Sequence, residues 1–196
     1  MKLVLASTSR YRRELLSRLH IPFDVLSPDV DETPRPDETP SATALRLSVL
    51  KAQAAAAAYP DALIIGSDQV LMLGDAQLGK PGGFDQAFAQ LKAMQGKAMV
   101  FHTVLTLLNS RSGHTQTRDV PTVVHIRALS DAQITAYLHK EQPYDCAGSA
   151  KSEALGIALM ERMDSPDPTA LIGLPLMALT GMLLNEGVDV LTWHAV

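Results

Sequence analysis

Asp68 stands inside an apolar run, with Leu63-Ile64-Ile65-Gly66 before it and Val70-Leu71-Met72 after it. A charge placed there is costly unless something pairs it, so its partner should be a metal ion, a lysine, or a proton held in common with water. A functional carboxylate is the preferred reading over a structural ion pair. Ser7, Ser9, Arg12 and Arg13 form a second set, after a short apolar run. Hydroxyls at a strand end that feeds a helix N-terminus aim amides and a positive dipole end at an anion. Guanidinium groups on the first turn add a two-oxygen grip suited to a di- or triphosphate. A solvated helix face with an ordinary cap fits the same spacing equally well.

Residues 29–38 include Asp29, Asp31, Glu32, Asp37 and Glu38, five acidic residues of ten, with Pro34 and Pro36. Such a loop is ordinarily just solvated, although magnesium favours a few carboxylates completed by phosphate oxygens and water. Gly74-Asp75-Ala76-Gln77-Leu78-Gly79-Lys80 has the spacing of a phosphate-binding P-loop. The next residue should carry a hydroxyl for magnesium, and Pro81 carries neither hydroxyl nor amide hydrogen, so a true P-loop is rejected. Lys80 can still meet a phosphate as a point charge. Cys146 reads as a small buried hydrophobe. His20, His102, His114, His125, His139 and His194 lack zinc-type spacing.

The elements that must position these residues alternate in type. Lys2–Ala6 predicts a buried strand, and residues 11–19 a helix capped by Ser9, with Leu15, Leu16 and Leu19 on one face. Residues 23–26 predict a second strand. Thr39-Pro40 opens a helix running to about Tyr59, through alanines that favour helix. Ala62–Leu73 is the strongest strand signal, interrupted at Gly66-Ser67-Asp68-Gln69. Gly82-Gly83 precedes a helix to about Ala93, and residues 99–108 and 115–127 predict a strand pair. Ser130 to Gln133 has capping-box spacing and starts a helix ending near Lys140. Residues 155–160 and 170–172 predict short strands, and residues 174–186 a last helix stopped at Gly187. The class is α/β.

The chain has 196 residues and a formal charge of -4, from 17 basic and 21 acidic side chains. That balance argues against a nucleic-acid polymer as partner, but a small anion needs only a local basic patch. A single cysteine fits a reducing compartment. The longest uncharged apolar stretch, residues 171–184, contains Pro175 and is too short to span a bilayer. No signal peptide is read at the N-terminus. A cytoplasmic protein without a membrane partner is expected. The oligomeric state is left open, and a homodimer is compatible with the sequence.

Taken together, several segments resemble the Maf family of nucleoside triphosphate pyrophosphatases over nearly the whole chain. They are Leu5-Ala6-Ser7-Thr8-Ser9 with Arg12-Arg13-Glu14-Leu15-Leu16, Val30-Asp31-Glu32, Lys51-Ala52, and Gly66-Ser67-Asp68-Gln69-Val70. Gly79-Lys80-Pro81, Ala147-Gly148-Ser149 and Gly173-Leu174-Pro175-Leu176 follow in the same order. The resemblance implies one domain over residues 1–196: a mixed central sheet flanked by helices, in two lobes with a cleft, similar to the inosine triphosphatase fold. It implies hydrolysis of a nucleoside triphosphate to monophosphate and pyrophosphate with a divalent metal, magnesium or manganese.

Within that family the chain is most similar to the branch acting on N7-methyl-GTP, on three positions. Tyr11 stands where the pyrimidine (dTTP/UTP) branch has arginine, Gln69 follows Asp68 in place of threonine, and Glu153 lies in Lys151-Ser152-Glu153 in place of a glutamine. Arg10 departs from a common proline, and Tyr11 from the tryptophan expected in this branch. The resemblance implies Asp68 as general base, Glu32 and Asp68 as metal ligands, and Tyr11, Gln69 and Glu153 at the base. Ser7, Arg12, Arg13, Lys51, Lys80 and Lys151 would offset phosphate charge. Chemistry agrees with the base assignment: N7 methylation leaves guanine cationic, which suits an aromatic face and a carboxylate edge. The alternatives are dTTP/UTP hydrolysis and a nucleotide-binding regulator of septum formation.

Overall fold

Ser9, Thr39 and Ser130 each cap the helix that follows them. A computed structural model describes residues 1–193; His194 lies outside the described residues. Strand β1 (Lys2–Ala6) leads to helix α1 (Arg10–Ser17), where Ser9 Oγ accepts from the Arg12 amide. Strand β2 (Asp24–Leu26) precedes helix α2 (Pro40–Ala56), capped by Thr39 Oγ1 on the Ala42 amide. Pro40 occupies the first turn, where its missing N–H has no partner to lose. Strands β3 (Ala62–Leu73) and β4 (Ala76–Leu78), helix α3 (Phe84–Met94), and strands β5 (Ala98–Asn109) and β6 (Thr115–Ile126) follow. Helix α4 (Asp131–Glu141) starts on a complete Ser130–Gln133 capping box. Strand β7 (Met160–Asp164) and helix α5 (Leu176–Asn185) complete the order.

The strands form one mixed sheet in the order β2-β1-β3-β5-β6-β7, with β4 paired to β3. Strand β1 runs parallel to β2 and β3, placing Leu5 opposite Ile65 and Ala6 opposite Gly66. The β3–β4 and β6–β7 pairs are antiparallel. By contact the chain divides into two compact units. The first holds Met1–Gln69, Thr103–Val120 and the chain from Asp167; the second holds Val70–His102 and Pro121–Pro166.

In the first unit, strand alternation buries both faces of β1 and β3, as a parallel sheet covered by helices requires. Leu3, Leu5, Leu63 and Ile65 pack with Leu15 and Leu16 of α1 and Leu179 and Leu183 of α5. Val4, Ala6, Ala62 and Ile64 face Ala52 and Ala55 of α2. The mixed sheet flanked by helices is therefore as expected. In the second unit, Leu71, Leu91, Met94, Met99, Ile134 and Leu138 are buried. Gly148 is in the left-handed region, and a Cβ there would meet Leu71 Cδ2 at 2.4 Å. Among the described residues no helix is long and apolar enough to cross a membrane.

Three local expectations are corrected. Strand β3 is not interrupted at Gly66 to Gln69 but continues through them. Residues 155–160 are not a strand: Leu155–Leu159 is a 3-10 helix and the strand begins at Met160. Residues 170–172 form turns, and their carbonyls take side-chain donors rather than a ladder. The strand β4 went unread because three residues carry too little pattern. Gly74 and Asp75 form the turn between β3 and β4, so the Gly74–Lys80 segment runs strand–turn–strand, not strand–loop–helix.

Candidate active site

Helix α2 and strand β3 set the centre of the site within the first unit. Gly66 makes their approach possible, since a Cβ there would lie 2.1 Å from Ser48 O and 2.7 Å from Ala52 N. At that spacing Lys51 of α2 reaches Asp68 of β3. Lys51 Nζ lies 2.7 Å from Asp68 Oδ1 and 2.8 Å from Glu32 Oε1. The Lys51 side chain is 7% exposed, Asp68 14% and Glu32 61%. An ammonium so withdrawn from water requires a counter-charge. Of the partners open to Asp68 from sequence, the structure supplies the lysine. Among the described residues no other protein donor reaches the Asp68 carboxylate.

Ser7 and Arg12 form the next layer of the same unit. Ser7 is buried, and its Oγ accepts from the Ser9 amide at 3.2 Å and from Arg12 Nη1 at 3.5 Å. Arg12 Nε donates to Gly173 O at 2.8 Å, and Ser67 Oγ donates to the same carbonyl at 3.1 Å. Gly173 has a φ of 119°, which glycine alone adopts readily. Burial pushes the Arg12 guanidinium down from its usual value, and the charges of Asp68 and Glu32 oppose that shift. Gln69 turns its amide nitrogen to Thr103 Oγ1, Ala170 O and Leu171 O, at 2.8, 3.1 and 3.1 Å. Arg13 is exposed. Tyr11 is half-buried under Arg10, whose Nη2 donates to the phenol oxygen at 2.7 Å and whose guanidinium lies 4.7 Å from the ring centroid.

Lys80, Lys151 and Glu153 belong to the second unit. Gly79 O accepts from Gln90 Nε2 at 3.0 Å and from the Gly148 amide at 3.4 Å. The Gly79-Lys80-Pro81 and Ala147-Gly148-Ser149 segments are thus brought side by side. Lys80 is exposed. Lys151 Nζ donates to Glu141 Oε1 at 2.7 Å and holds that carboxyl below its ordinary range. The Lys151 amide donates to Tyr137 OH, which donates in turn to Ser149 O at 2.7 Å; burial raises the Tyr137 pKa. Glu153 is exposed, with Ser152 Oγ at 3.5 Å. Lys151 is therefore anchored internally, whereas Lys80 and Glu153 point into open surroundings.

Sequence reasoning missed Thr103, Arg46 and the pairing role of Glu38. The first is an ordinary strand threonine by pattern, and Glu38 was one of five acids in a loop read as solvated. A hydroxyl or arginine that acts through a partner distant in sequence leaves no local spacing signal.

The donor set at Lys51 bears on a metal. Two carboxylates converge on one ammonium, and among the described residues no group of three or more His, Cys, Asp or Glu side chains is gathered to hold a metal ion. Magnesium commonly takes one or two carboxylates and completes its shell with water and substrate phosphates. Glu32 and Asp68 are the carboxylates of that kind here, and the point on which they converge is taken in this structure by the Lys51 ammonium.

A model of the Maf-like protein family matches residues 2–186, and the chain belongs to that family. Its relatives sharpen this. The chain is 82% identical to the 7-methyl-GTP pyrophosphatase of Thiobacillus denitrificans, over 98% of this chain and 96% of that protein. Identity is 60% to the 7-methyl-GTP pyrophosphatase of Cupriavidus metallidurans, over 94% and 93% of the two chains. It is 56% to that of Bordetella pertussis, over 98% and 96%. The chain is thus a homologue of nucleotide pyrophosphatases. The solved structure of the Staphylococcus aureus Ham1 protein overlaps 64% of this chain and 72% of its own, at 18% identity and a TM-score of 0.46.

Proposed function

We propose that this protein hydrolyses N7-methyl-GTP to N7-methyl-GMP and pyrophosphate, by attack of water at the α-phosphorus. The observation that carries the reading is 82% identity along nearly the entire chain to a protein named for that activity. The family match over residues 2–186 supports treating the chain as a single domain, and the activity for which its relatives are named supports a small nucleotide as its substrate; its place of work is taken as the cytoplasm. Asp68 takes the proton of the attacking water as general base. Lys51 fixes one carboxylate oxygen, which leaves the other to face the water. The new bond joins water oxygen to the α-phosphorus, and the bond to the bridging oxygen breaks as pyrophosphate leaves.

Ser7, Arg12, Arg13, Lys80 and Lys151 offset charge on the triphosphate and the departing pyrophosphate. Tyr11 stacks on the cationic ring, Glu153 accepts from its edge, and Gln69 acts by holding the backbone at Ala170 and Leu171. Glu32 and Asp68 would hold a divalent cation, magnesium or manganese, which when bound supplies positive charge against the phosphate oxygens. The test is pyrophosphate release from N7-methyl-GTP, GTP, dTTP and UTP in heavy-oxygen water. N7-methyl-GTP should be the fastest substrate, with the label in the monophosphate. Preference for dTTP or UTP would move the protein to the sister specificity, and label in orthophosphate would overturn the site of attack.

A further inference from the structure

Glu32 poses a mechanical problem. It sits in residues 27–39, which form neither helix nor strand, and its side chain is 61% exposed. Exposed ion pairs contribute little on their own, and ordering an irregular segment opposes the contact. Its place on Lys51 therefore needs another support. Arg46 supplies one. Its Nε donates to Glu38 Oε1 at 2.7 Å and its Nη2 to Glu38 Oε2 at 2.8 Å, a two-pronged pair with both side chains almost enclosed, 13% and 12% exposed. Nη2 also donates to the carbonyl of Thr33, the residue after Glu32, at 3.0 Å. Glu38 further accepts from Thr43 Oγ1 at 2.9 Å and from the Arg35 amide at 3.1 Å. One guanidinium thus grips the segment beside Glu32 and again at Glu38.

Arg46 and Lys51 lie on the same helix, five residues and about 7.5 Å of rise apart. The helix that presents the ammonium to Glu32 also holds the backbone that presents Glu32 to the ammonium. We infer that Arg46 and Glu38 are positioning residues for the reaction, acting by keeping Glu32 on Lys51, the ammonium it shares with Asp68. This rests on the catalytic reading of Glu32 and Asp68 given above. Lysine at position 46 would keep the charge but not the planar fork that reaches Glu38 and Thr33 together.

The experiment combines Arg46→Lys and Glu38→Gln, each alone and with Glu32→Gln, assayed on whichever nucleoside triphosphate the wild type hydrolyses fastest. Arg46→Lys should lower kcat/KM by about tenfold to a hundredfold, mostly in kcat, as expected when a reacting group is displaced slightly. In the Glu32→Gln background the same change should cost less than about threefold, because residues acting through one contact are not additive. Amide exchange should quicken in residues 29–35 while β1 and β3 keep their protection. Glu38→Gln, nearly isosteric, should repeat the pattern and guards against misfolding. Equal losses in both backgrounds, or unchanged exchange in residues 29–35, would overturn the inference with the catalytic reading intact. Full activity in Glu32→Gln alone would overturn that reading and the inference with it.

Discussion

Asp167, whose carboxylate meets the first turn of helix α5, and Asp68 on strand β3 are both largely removed from bulk water, and they are served very differently. Asp167 is 2% exposed. Its Oδ1 accepts from the Thr169 amide and hydroxyl at 3.0 and 2.7 Å, and its Oδ2 from the amides of Met177 and Ala178 at 2.7 and 3.2 Å. The latter two belong to the first turn of α5, whose amides have no partner within the helix. The negative charge also meets the favourable end of the helix dipole. Asp68 receives one ammonium, which it shares with Glu32. Glu38, with four donors, sides with Asp167. All three are largely withdrawn from water, Asp167 fully and Asp68 and Glu38 for the most part. Unused acceptor capacity separates the carboxylate available for chemistry from those consumed by structure.

The largest effects should come from exchanging the two aspartates' fates. Asp68→Asn keeps the shape but cannot take a proton, so turnover should fall by about 10²–10⁴-fold, the usual size of a general-base contribution. Its urea midpoint should drop, because Lys51 keeps only the exposed Glu32 as counter-charge, but the chain should stay folded. Asp167→Ala should do the reverse, destabilising by at least about 2 kcal/mol through unsatisfied amides, with turnover of the folded protein nearly unchanged. An active Asp68→Asn enzyme, or a stable but inactive Asp167→Ala one, would dissolve the distinction.

A smaller effect tests base choice apart from phosphate chemistry. The Arg10 guanidinium already lies against the Tyr11 ring, so a cationic base must take the other face or displace it. Tyr11→Arg combined with Glu153→Gln should lower kcat/KM for N7-methyl-GTP by at least about tenfold, the worth of one stacking or hydrogen-bonding loss. Activity on dTTP or UTP should not fall in parallel. Equal loss on every nucleotide would mean that the two residues serve folding or phosphate binding instead.

The smallest effect concerns Glu38 as a consumed carboxylate. Arg46 above all, helped by the Arg35 amide and the Thr43 hydroxyl and opposed by burial, lowers its pKa from 4.5 to about 2. A depressed carboxyl contributes stability above its unfolded pKa and loses it as pH falls through the folded one. That contribution should therefore be complete above about pH 4.5 and fade toward pH 2. Urea midpoints taken down this range should fall less steeply in Glu38→Gln than in the wild type. Parallel curves would show that the Arg46 pair does not hold the carboxylate in solution.

Features carried within three or four residues were readable in advance. Ser9, Thr39-Pro40 and the Ser130–Gln133 box mark helix starts correctly because a cap is a local bond. Asp68 was recognisable because a charge inside an apolar strand is anomalous by itself. Its partner was not fixed by that anomaly: Lys51 is 17 residues away, beside alanines that reveal nothing about which helix face turns to β3. Residues 170–172 looked like a strand because they are apolar. Their carbonyls instead receive Gln69 and Thr103, donors about 100 and 67 residues earlier in the chain. Glu38 and Arg46 stayed hidden because a saturated ion pair and a solvated one have the same composition.

Gly66 gives the molecule a tolerance limit that matters to anyone who would re-engineer it. With Ser48 O at 2.1 Å and Ala52 N at 2.7 Å from the place of a side chain, the obstacle is main chain and cannot swing aside. Even one methyl would lift α2 from β3 and carry Lys51 away from Asp68. Libraries that vary Tyr11 and Glu153 to test base choice leave this contact alone, but position 66 must stay a hydrogen. The reach of the ammonium is set by an atom that is missing.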